Sequence, residues 1–141
     1  MASEKAVLIS IQPPHTTNIF DGIKRIEWRT RQMPTGKHYV YETKKGGGIG
    51  KVIGECTIWR VKRHENVSYI QEGHIDAGCV PYEFLEQYAK GKPLYAHFIV
   101  SAKRYDKPKE LNRFILANTQ HFCLVRRPPQ SWCYVEELND A

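Results

Sequence analysis

The chain has 141 residues, which suits one ordinary domain, and 41% of them are hydrophobic, enough for a single core. No stretch approaches the roughly 20 apolar residues that span a bilayer, and residues 1–6 lack the features of a secretion signal. We therefore expect one cytoplasmic domain over residues 1–141, with no membrane partner. The net charge of +6 arises entirely in residues 1–70. This asymmetry favours a polyanionic partner, and the alternative is a merely soluble basic surface.

Strand patterns dominate the first part of the chain. Residues 6–11 form an apolar, β-branched run that predicts a buried first strand. Thr16 or Thr17 can then cap a short helix, which Gly22 ends in the left-handed conformation. Residues 24–31 alternate between apolar and charged side chains, so they predict a half-buried strand with one charged face.

A glycine-rich connection separates the next two predicted strands, which cover residues 38–43 and 51–63. The connection, residues 44–50, could in principle cradle a phosphate through its backbone N–H groups. A phosphate-binding loop of the P-loop type would need Gly and Ser or Thr where this chain has Lys45 and Val52. We therefore interpret residues 44–50 as a mobile hairpin loop. Residues 51–63 are apolar on both faces for much of their length, which predicts a central strand.

The second half predicts helices followed by strands. Residues 65–78 lack clean periodicity and predict a short helix or turn, whereas a helix that starts at Pro81 would place Phe84, Leu85 and Tyr88 on one face and end at Gly91. After this helix we predict a strand at residues 94–105, a loop around Pro108 and a helical turn at 111–115. Two more strands follow at residues 122–125 and 131–137. Five or six strands with short helices predict a strand-rich α+β domain whose curled sheet closes into a small β-barrel.

One segment carries the most chemical information: Gly22-Ile-Lys-Arg-Ile-Glu-Trp-Arg29. Its spacing puts Lys24 at the mouth of a strand, with Glu27 and Arg29 on the same strand face. Arg29 could bind a planar, anionic or amide-bearing ligand as a two-pronged donor while Glu27 holds it in place. The alternative is a solvated strand face with one ordinary ion pair.

This segment, with Leu8-Ile-Ser-Ile-Gln-Pro13 before it and Gly54-Glu55 after it, resembles the ASCH domain family of the PUA-like superfamily. The family pattern is a strand that ends in a polar residue and Pro, a short helix, and then G-x-K-x-x-E-x-R. Residues 127–135 resemble the closing strand of bacterial and phage members, and the resemblance covers residues 7–135. It implies a PUA-like small β-barrel with short helices, and a cleft between the first helix and the barrel.

The resemblance also implies a function and a site. Family members are proposed to bind RNA in translation or transcription control, and some relatives are enzymes that act on modified cytidine or cleave RNA. On this chain, Lys24, Glu27 and Arg29 would line the cleft. Two residues depart from the family. Gln12 stands where many members have Lys, which weakens the basic wall, and Glu27 stands where the small amidohydrolase relatives have the Thr that their mechanism uses.

We therefore expect RNA or nucleotide binding in a basic cleft, without a cofactor. The side chains predicted to contact nucleic acid supply cations for phosphate, a hydroxyl and aromatic faces for stacking, and they are Ser10, Lys24, Arg29, Arg31, Tyr41, Lys44, Lys45 and Trp132. The alternative is a small hydrolase, similar to an N4-acylcytidine amidohydrolase or a ribonuclease, in which Lys24 is the base and Glu27 assists it.

The cysteines do not change this interpretation. Cys56, Cys79, Cys123 and Cys133 form no C-x-x-C pair and have no His at a ligand spacing, so no structural metal site is expected. With no export signal in the sequence, we expect four reduced thiols that pack within the fold.

Overall fold

The computed structural model describes residues 5–139, and its regular structure is mostly strand. Along the chain it contains β1 (Lys5–Ile11), α1 (His15–Phe20), β2 (Ile26–Arg29), β3 (Gly36–Glu42), β4 (Lys51–His64), α2 (Glu72–Ala77), α3 (Tyr82–Ala89), β5 (Leu94–Lys109) and β6 (Trp132–Glu136). Single 3-10 turns lie at Val67–Tyr69 and Leu111–Arg113. The fold is therefore the strand-rich α+β class that the sequence predicts. Within residues 5–139, no helix combines the length and the apolar character needed to cross a bilayer.

The strands form one six-stranded sheet in the order β2-β5-β4-β3-β1-β6. β1 and β3 are parallel, and every other neighbouring pair is antiparallel. β2 and β6 are the two edges and do not pair with each other, so the predicted closure into a barrel is wrong. Where a barrel would have backbone hydrogen bonds, the Arg29 side chain reaches from β2 to Ser131, the residue before β6.

Most of the predicted elements are confirmed, including the central position of β4 between β3 and β5. Three predictions are wrong. No Thr side chain caps α1, which begins at His15 directly after Pro14. β5 continues through Pro108, where a loop was expected; the β4–β5 register is irregular in this stretch, a position where sheets tolerate proline. The expected strand at residues 122–125 reduces to a single bridge between Ile115 and Leu124.

Alternation along the strands divides the core between the two faces of the sheet. Ile9 in β1 packs with Ile19 of α1 on one face, while Leu8 turns to the other face. In a third cluster, Trp28 of β2 packs with Leu85 of α3, so α2 and α3 cover this end of the sheet. Because Trp28 points toward the helices, its neighbours in β2 point the opposite way, and this alternation sets the direction of the candidate site residues.

Two glycines place α1 on the sheet. Gly22 follows the C-cap residue Asp21 with a φ of +78°, the left-handed conformation that the sequence predicts for it. Gly54 of β4 lies directly under the ring of Phe20, because an added Cβ would come within 2.6 Å of two ring carbons and 2.5 Å of the Lys103 carbonyl oxygen. The absence of a side chain at Gly54 therefore lets the end of α1 approach β4 closely.

All four cysteines are free thiols. Cys56 is buried, and burial is the main cause that raises its pKa to about 12, so this thiol has no reactive thiolate near neutral pH. Cys79 and Cys133 are half-buried. Cys123 is exposed, which contradicts the expectation that all four thiols are packed.

Candidate functional site

A cavity of about 320 Å³ opens where the β1–α1 turn, β2 and α3 meet. Part of its lining is cationic and comes from Lys24, Arg29 and Lys45. Another part is aromatic and comes from Phe84 and Tyr88 of α3. Three segments that are distant in the sequence therefore contribute chemically different surfaces to one cavity.

Glu27 and Arg29 form the most tightly bonded pair in the cavity. Both side chains leave the same face of β2, because Ile26 and Trp28 occupy the opposite, buried face. One carboxylate oxygen of Glu27, Oε2, accepts hydrogen bonds from Nε of Arg29 at 2.9 Å and from Nη2 at 2.7 Å. Two bonds to one carboxylate fix the orientation of the guanidinium plane.

Arg29 also connects the two ends of the open sheet. Its Nη1 donates to Oγ of Ser131 at 2.8 Å, and its Nη2 donates to the backbone oxygen of Ser10 in β1 at 3.4 Å. With the two bonds to Glu27, four of the five guanidinium N–H groups have partners. One Nη1 hydrogen has no partner within residues 5–139 and can meet a ligand, so Arg29 acts mainly as a clamp that shapes the cavity.

Lys24 is the deepest cation of the cavity, with only 3% of its surface exposed. Its ammonium donates to the backbone oxygen of Gly78, after α2, and lies 3.4 Å from Oε1 of Glu27. Gly78 is pressed against the indole of Trp28, since an added Cβ would lie 2.6 Å from the ring carbon Cδ1. A side chain at position 78 would therefore displace the carbonyl that holds Lys24.

Glu27 is ionised at neutral pH. Burial by itself would raise the pKa of this carboxyl, but the charges of Arg29 and Lys24, together with the hydrogen bonds from Arg29, lower it to about 2. A carboxylate with so low a pKa is a poor proton donor or acceptor near pH 7. We conclude that Glu27 is the anion that holds two cations in place.

A buried histidine fixes the backbone of β2 at this point. His97 of β5 donates from Nδ1 to the backbone oxygen of Glu27 at 3.0 Å and accepts at Nε2 from the backbone N–H of Met33 at 2.8 Å. Accepting at Nε2 requires a neutral ring, and burial lowers the pKa of His97 accordingly. His97 thereby ties β2 to the chain that follows it, and sequence reasoning did not single out this residue.

The β1–α1 turn and the glycine-rich loop are joined by Glu42. Its Oε2 accepts from Oγ1 of Thr16 in α1 at 2.6 Å, and its Oε1 accepts from the backbone N–H of Ile49 at 3.1 Å. This pair of bonds holds the loop that carries Lys45 against α1. The Thr16 hydroxyl, which we expected as a candidate helix cap, is used here instead.

His15, at the start of α1, also lines the cavity. Its Nδ1 is shielded from solvent and has no hydrogen-bond partner among the described residues. Burial lowers the pKa of the ring, and the nearby charge of Lys24 lowers it further. His15 is therefore a neutral imidazole next to two cations, and a lone His in a polar turn gave no sequence signal for this role.

α3 supplies an aromatic wall that sequence reasoning missed. The rings of Phe84 and Tyr88 are stacked at 10° with centroids 6.1 Å apart, and 52% and 37% of their surfaces are exposed. Sequence periodicity placed both on one face with Leu85, yet only Leu85 is buried in the core. One helical turn separates Phe84 from Tyr88, so the two rings line up along the cavity.

The structure separates the predicted site residues into two groups. Those that line the cavity are Ser10, Lys24, Glu27, Arg29 and Lys45. Those that do not line it are Arg31, Tyr41, Lys44 and Trp132. Tyr41 is buried in the core on the other face of β3, and Trp132 packs against Tyr134 with a centroid distance of 5.2 Å. Arg31 and Lys44 are exposed outside the cavity.

Among residues 5–139, no group of three or more His, Cys, Asp or Glu side chains is placed to hold a metal ion.

Comparison with known proteins identifies the fold. No protein family matches the sequence, and no curated protein is similar enough to count as a match. Among solved structures, the ASCH protein of Zymomonas mobilis superposes with a TM-score of 0.72 over 94% of this chain and 88% of its own, at 20% identity. Two mutants of that protein are also 20% identical to this chain. The serine-to-alanine mutant superposes with a TM-score of 0.72 over 97% of this chain and 92% of its own. The tyrosine-to-phenylalanine mutant superposes with a TM-score of 0.71 over 95% of this chain and 92% of its own.

The chain has the ASCH fold. The resemblance noted from short motifs is therefore confirmed at the level of the fold. An identity of 20% carries no residue roles from one protein to the other. What this ASCH fold does in the present chain must be argued from its own cavity, in which the Lys, Glu and Arg of the G-x-K-x-x-E-x-R segment converge.

Proposed function

We propose that this protein binds RNA, or a nucleotide derived from it, in the cavity between α1, β2 and α3. The observation that carries the proposal is the combination of cationic and aromatic lining in one space of about 320 Å³, within the usual size range of ligand sites. Phosphate requires cations and a base requires a flat apolar face, and nucleotides present both. The ASCH fold supports the proposal by analogy alone.

Each part of the lining has a role in this proposal. Lys45 is exposed on its loop and supplies a mobile charge for phosphate. Lys24 is a fixed, deep charge, and the remaining N–H of Arg29 contacts a base edge or a sugar hydroxyl. The rings of Phe84 and Tyr88 offer the stacking face that we expected from Tyr41 and Trp132. A role in translation or transcription control would depend on which RNA binds.

The test is binding of uridine and cytidine monophosphate and of short single-stranded RNA, measured at several salt concentrations. We expect the affinity to fall with salt, with a log–log slope of roughly −0.7 for each phosphate contact. Lys45→Glu should weaken binding about tenfold, or about 1.4 kcal/mol, because a repulsive charge replaces an attractive one. Lys107→Glu makes the same charge change at an exposed site on β5, outside the cavity, and serves as the control.

A second variant probes the deep end of the cavity. Lys24→Arg keeps the positive charge, whereas Lys24→Met removes the charge and keeps most of the side-chain volume. A binding site that uses Lys24 as a point charge should lose about 1 kcal/mol with Arg and about 1.5–3 kcal/mol with Met. Absence of nucleotide and RNA binding by the wild-type protein at low salt would rule the proposal out.

One observation favours a second candidate function, a small hydrolase acting on N4-acylated cytidine or on RNA. The imidazole of His15 lines the cavity and its lowered pKa keeps the ring neutral, so the ring can accept a proton from a bound substrate. Glu27 is unsuited to that step because its pKa is about 2. If the protein is an enzyme, turnover should fall at least about 100-fold in Lys24→Arg or in His15→Gln while substrate still binds. Wild-type protein without turnover on either substrate would remove this candidate.

A further inference from the structure

A second aromatic and cationic surface lies outside the cavity, where β4 and β5 pair. Phe98 of β5 is at its centre, with Trp59 of β4 at a ring-centroid distance of 5.8 Å and His74 of α2 at 5.5 Å. The guanidinium of Arg60 lies 5.5 Å from the centroid of the Phe98 ring. We call this cluster, together with Lys62 two residues further along β4, the β4–β5 platform. None of its residues lines the cavity.

The platform exposes more than half of one large aromatic side chain, Trp59. Of the Trp59 surface, 54% is exposed, although most tryptophans in folded domains are largely covered. The ladder irregularity between Ile58 and Arg60 explains its position, because the extra residue lets Trp59 and Arg60 both lie beside Phe98. A local irregularity that turns a large ring toward solvent is a common device for aiming a side chain at a partner.

The two cations of the platform are not neutralised by carboxylates of residues 5–139, although Glu65 pairs with the neighbouring Arg63. The strand sequence is Trp-Arg-Val-Lys-Arg, and neither Arg60 nor Lys62 forms an ion pair within the described part of the chain. The acidic residues of α2, Glu72 and Asp76, line a separate groove on another side of that helix. The platform therefore presents flat rings and unneutralised cations together, without a carboxylate among its residues.

We propose that the β4–β5 platform is a second nucleic-acid contact, which binds single-stranded RNA by stacking a base on Trp59 while Arg60 and Lys62 meet the flanking phosphates. Single-stranded nucleic acid fits because it alternates π faces with negative charges at close spacing. An acidic peptide would satisfy the cations but would offer no face for the indole. The inference does not depend on the cavity, since the two surfaces share no residue.

α2 places the platform close to the cavity. His74 packs edge-on against Phe98, and Gly78, just beyond the end of the same helix, accepts the hydrogen bond from Lys24. Four helical residues rise about 6 Å. An oligonucleotide adds contacts on the platform to those of a single nucleotide, so it should bind more tightly than a mononucleotide.

The test compares uridine monophosphate with an oligouridylate of about eight nucleotides, within the usual footprint of single-strand binding domains. Trp59→Ala should weaken binding of the oligouridylate at least about fivefold and leave mononucleotide binding unchanged. Trp59→Phe keeps a flat ring and should stay within about twofold of the wild type. Phe122→Ala removes another aromatic ring, 74% exposed and outside the platform, and should change neither affinity.

Indole fluorescence in the Lys24→Met background separates this inference from the proposed cavity function. Of the other two tryptophans, Trp28 is buried and Trp132 packs against Tyr134, so quenching by the oligouridylate that is lost in Trp59→Ala reports on the platform. Trp59-dependent binding that persists when mononucleotide binding is lost would support the platform independently of the cavity. The inference is overturned if Trp59→Ala binds the oligouridylate like the wild type, if the wild type binds no oligouridylate, or if a polyglutamate peptide binds equally well through Trp59. The first outcome would leave the cavity proposal standing.

Discussion

Replacing Glu27 with Gln should destabilise the protein by about 3 kcal/mol or more. The Glu27 carboxylate lies 2.7 Å from Nη2 of Arg29 and 3.4 Å from Nζ of Lys24. Its pKa of about 2, against an ordinary 4.5, corresponds to a preference for the charged form of about 3 kcal/mol. Gln keeps the shape but leaves two nearly buried cations without their anion, and breaking such a cluster typically costs about 3–5 kcal/mol.

The same carboxylate predicts a pH dependence with a definite sign. Because the pKa of Glu27 is lower in the folded protein than in the unfolded chain, its stabilising contribution is complete above about pH 4.5 and is lost as the pH falls toward 2. Over this window the wild type should lose about 3 kcal/mol that the Glu27→Gln variant does not lose. The two stability curves should therefore converge in acid.

Urea denaturation between pH 7 and pH 2, followed by circular dichroism, measures both effects. Glu110→Gln is the matched control, because Glu110 forms an ion pair with Lys51 at 3.0 Å in which the two side chains are 61% and 44% exposed. Such a surface pair contributes about 1 kcal/mol or less. A loss below about 1 kcal/mol for Glu27→Gln at pH 7, or parallel stability curves for variant and wild type, would refute the assignment of Glu27 as the anion that organises the cavity.

Two further predictions concern the support of the cavity. Gly78→Ala should lower the free energy of unfolding by about 1–3 kcal/mol and weaken nucleotide binding, because the new methyl group overlaps Trp28. Gly73→Ala in α2 is the control: no atom lies near the added Cβ, so the variant should be as stable as the wild type or more stable. Equal stability of the two variants in urea would count against the steric argument. Burial lowers the pKa of His38 to about 4, so the stabilisation from its neutral ring is complete above pH 6.5 and declines by up to about 3 kcal/mol as the pH falls to 4. Thermal melts from pH 7 to pH 4 should show a smaller drop for His38→Asn than for the wild type, and an identical drop would contradict this prediction.

The sequence predicted those parts of the site that depend on local periodicity. Alternation along residues 24–31 was enough to place Glu27 and Arg29 on one face, because side chains of a strand necessarily alternate. The left-handed Gly22 followed in the same way from its position after a short helix. Both predictions rest on neighbours within a few residues, for which backbone geometry leaves little choice.

The aromatic wall could not be predicted in that way. A helical stripe that contains Phe84, Leu85 and Tyr88 indicates burial, and periodicity does not distinguish a ring in the core from a ring at the rim of a cavity. The distinction arises from how α3 packs, which depends on Trp28 and Gly78 in other segments. Tyr41 and Trp132 were misplaced for the same reason, since their aromatic character was visible but the face of the sheet to which each belongs was not.

The open sheet explains both the side-chain bridge made by Arg29 and the position of the cavity. In a closed barrel, β2 and β6 would be joined by a ladder of backbone hydrogen bonds, and no space would remain between them for side chains. Here β2 has only four residues, and the Arg29 side chain bridges to Ser131 and to the backbone of Ser10. The Arg29 side chain needs a fixed anion to orient it, and Glu27 is that anion. The gap between the two sheet edges that Arg29 spans adjoins the cavity. The predicted barrel was therefore wrong at the position where the candidate function resides, because the sheet stays open at β2, the edge strand that carries Glu27 and Arg29.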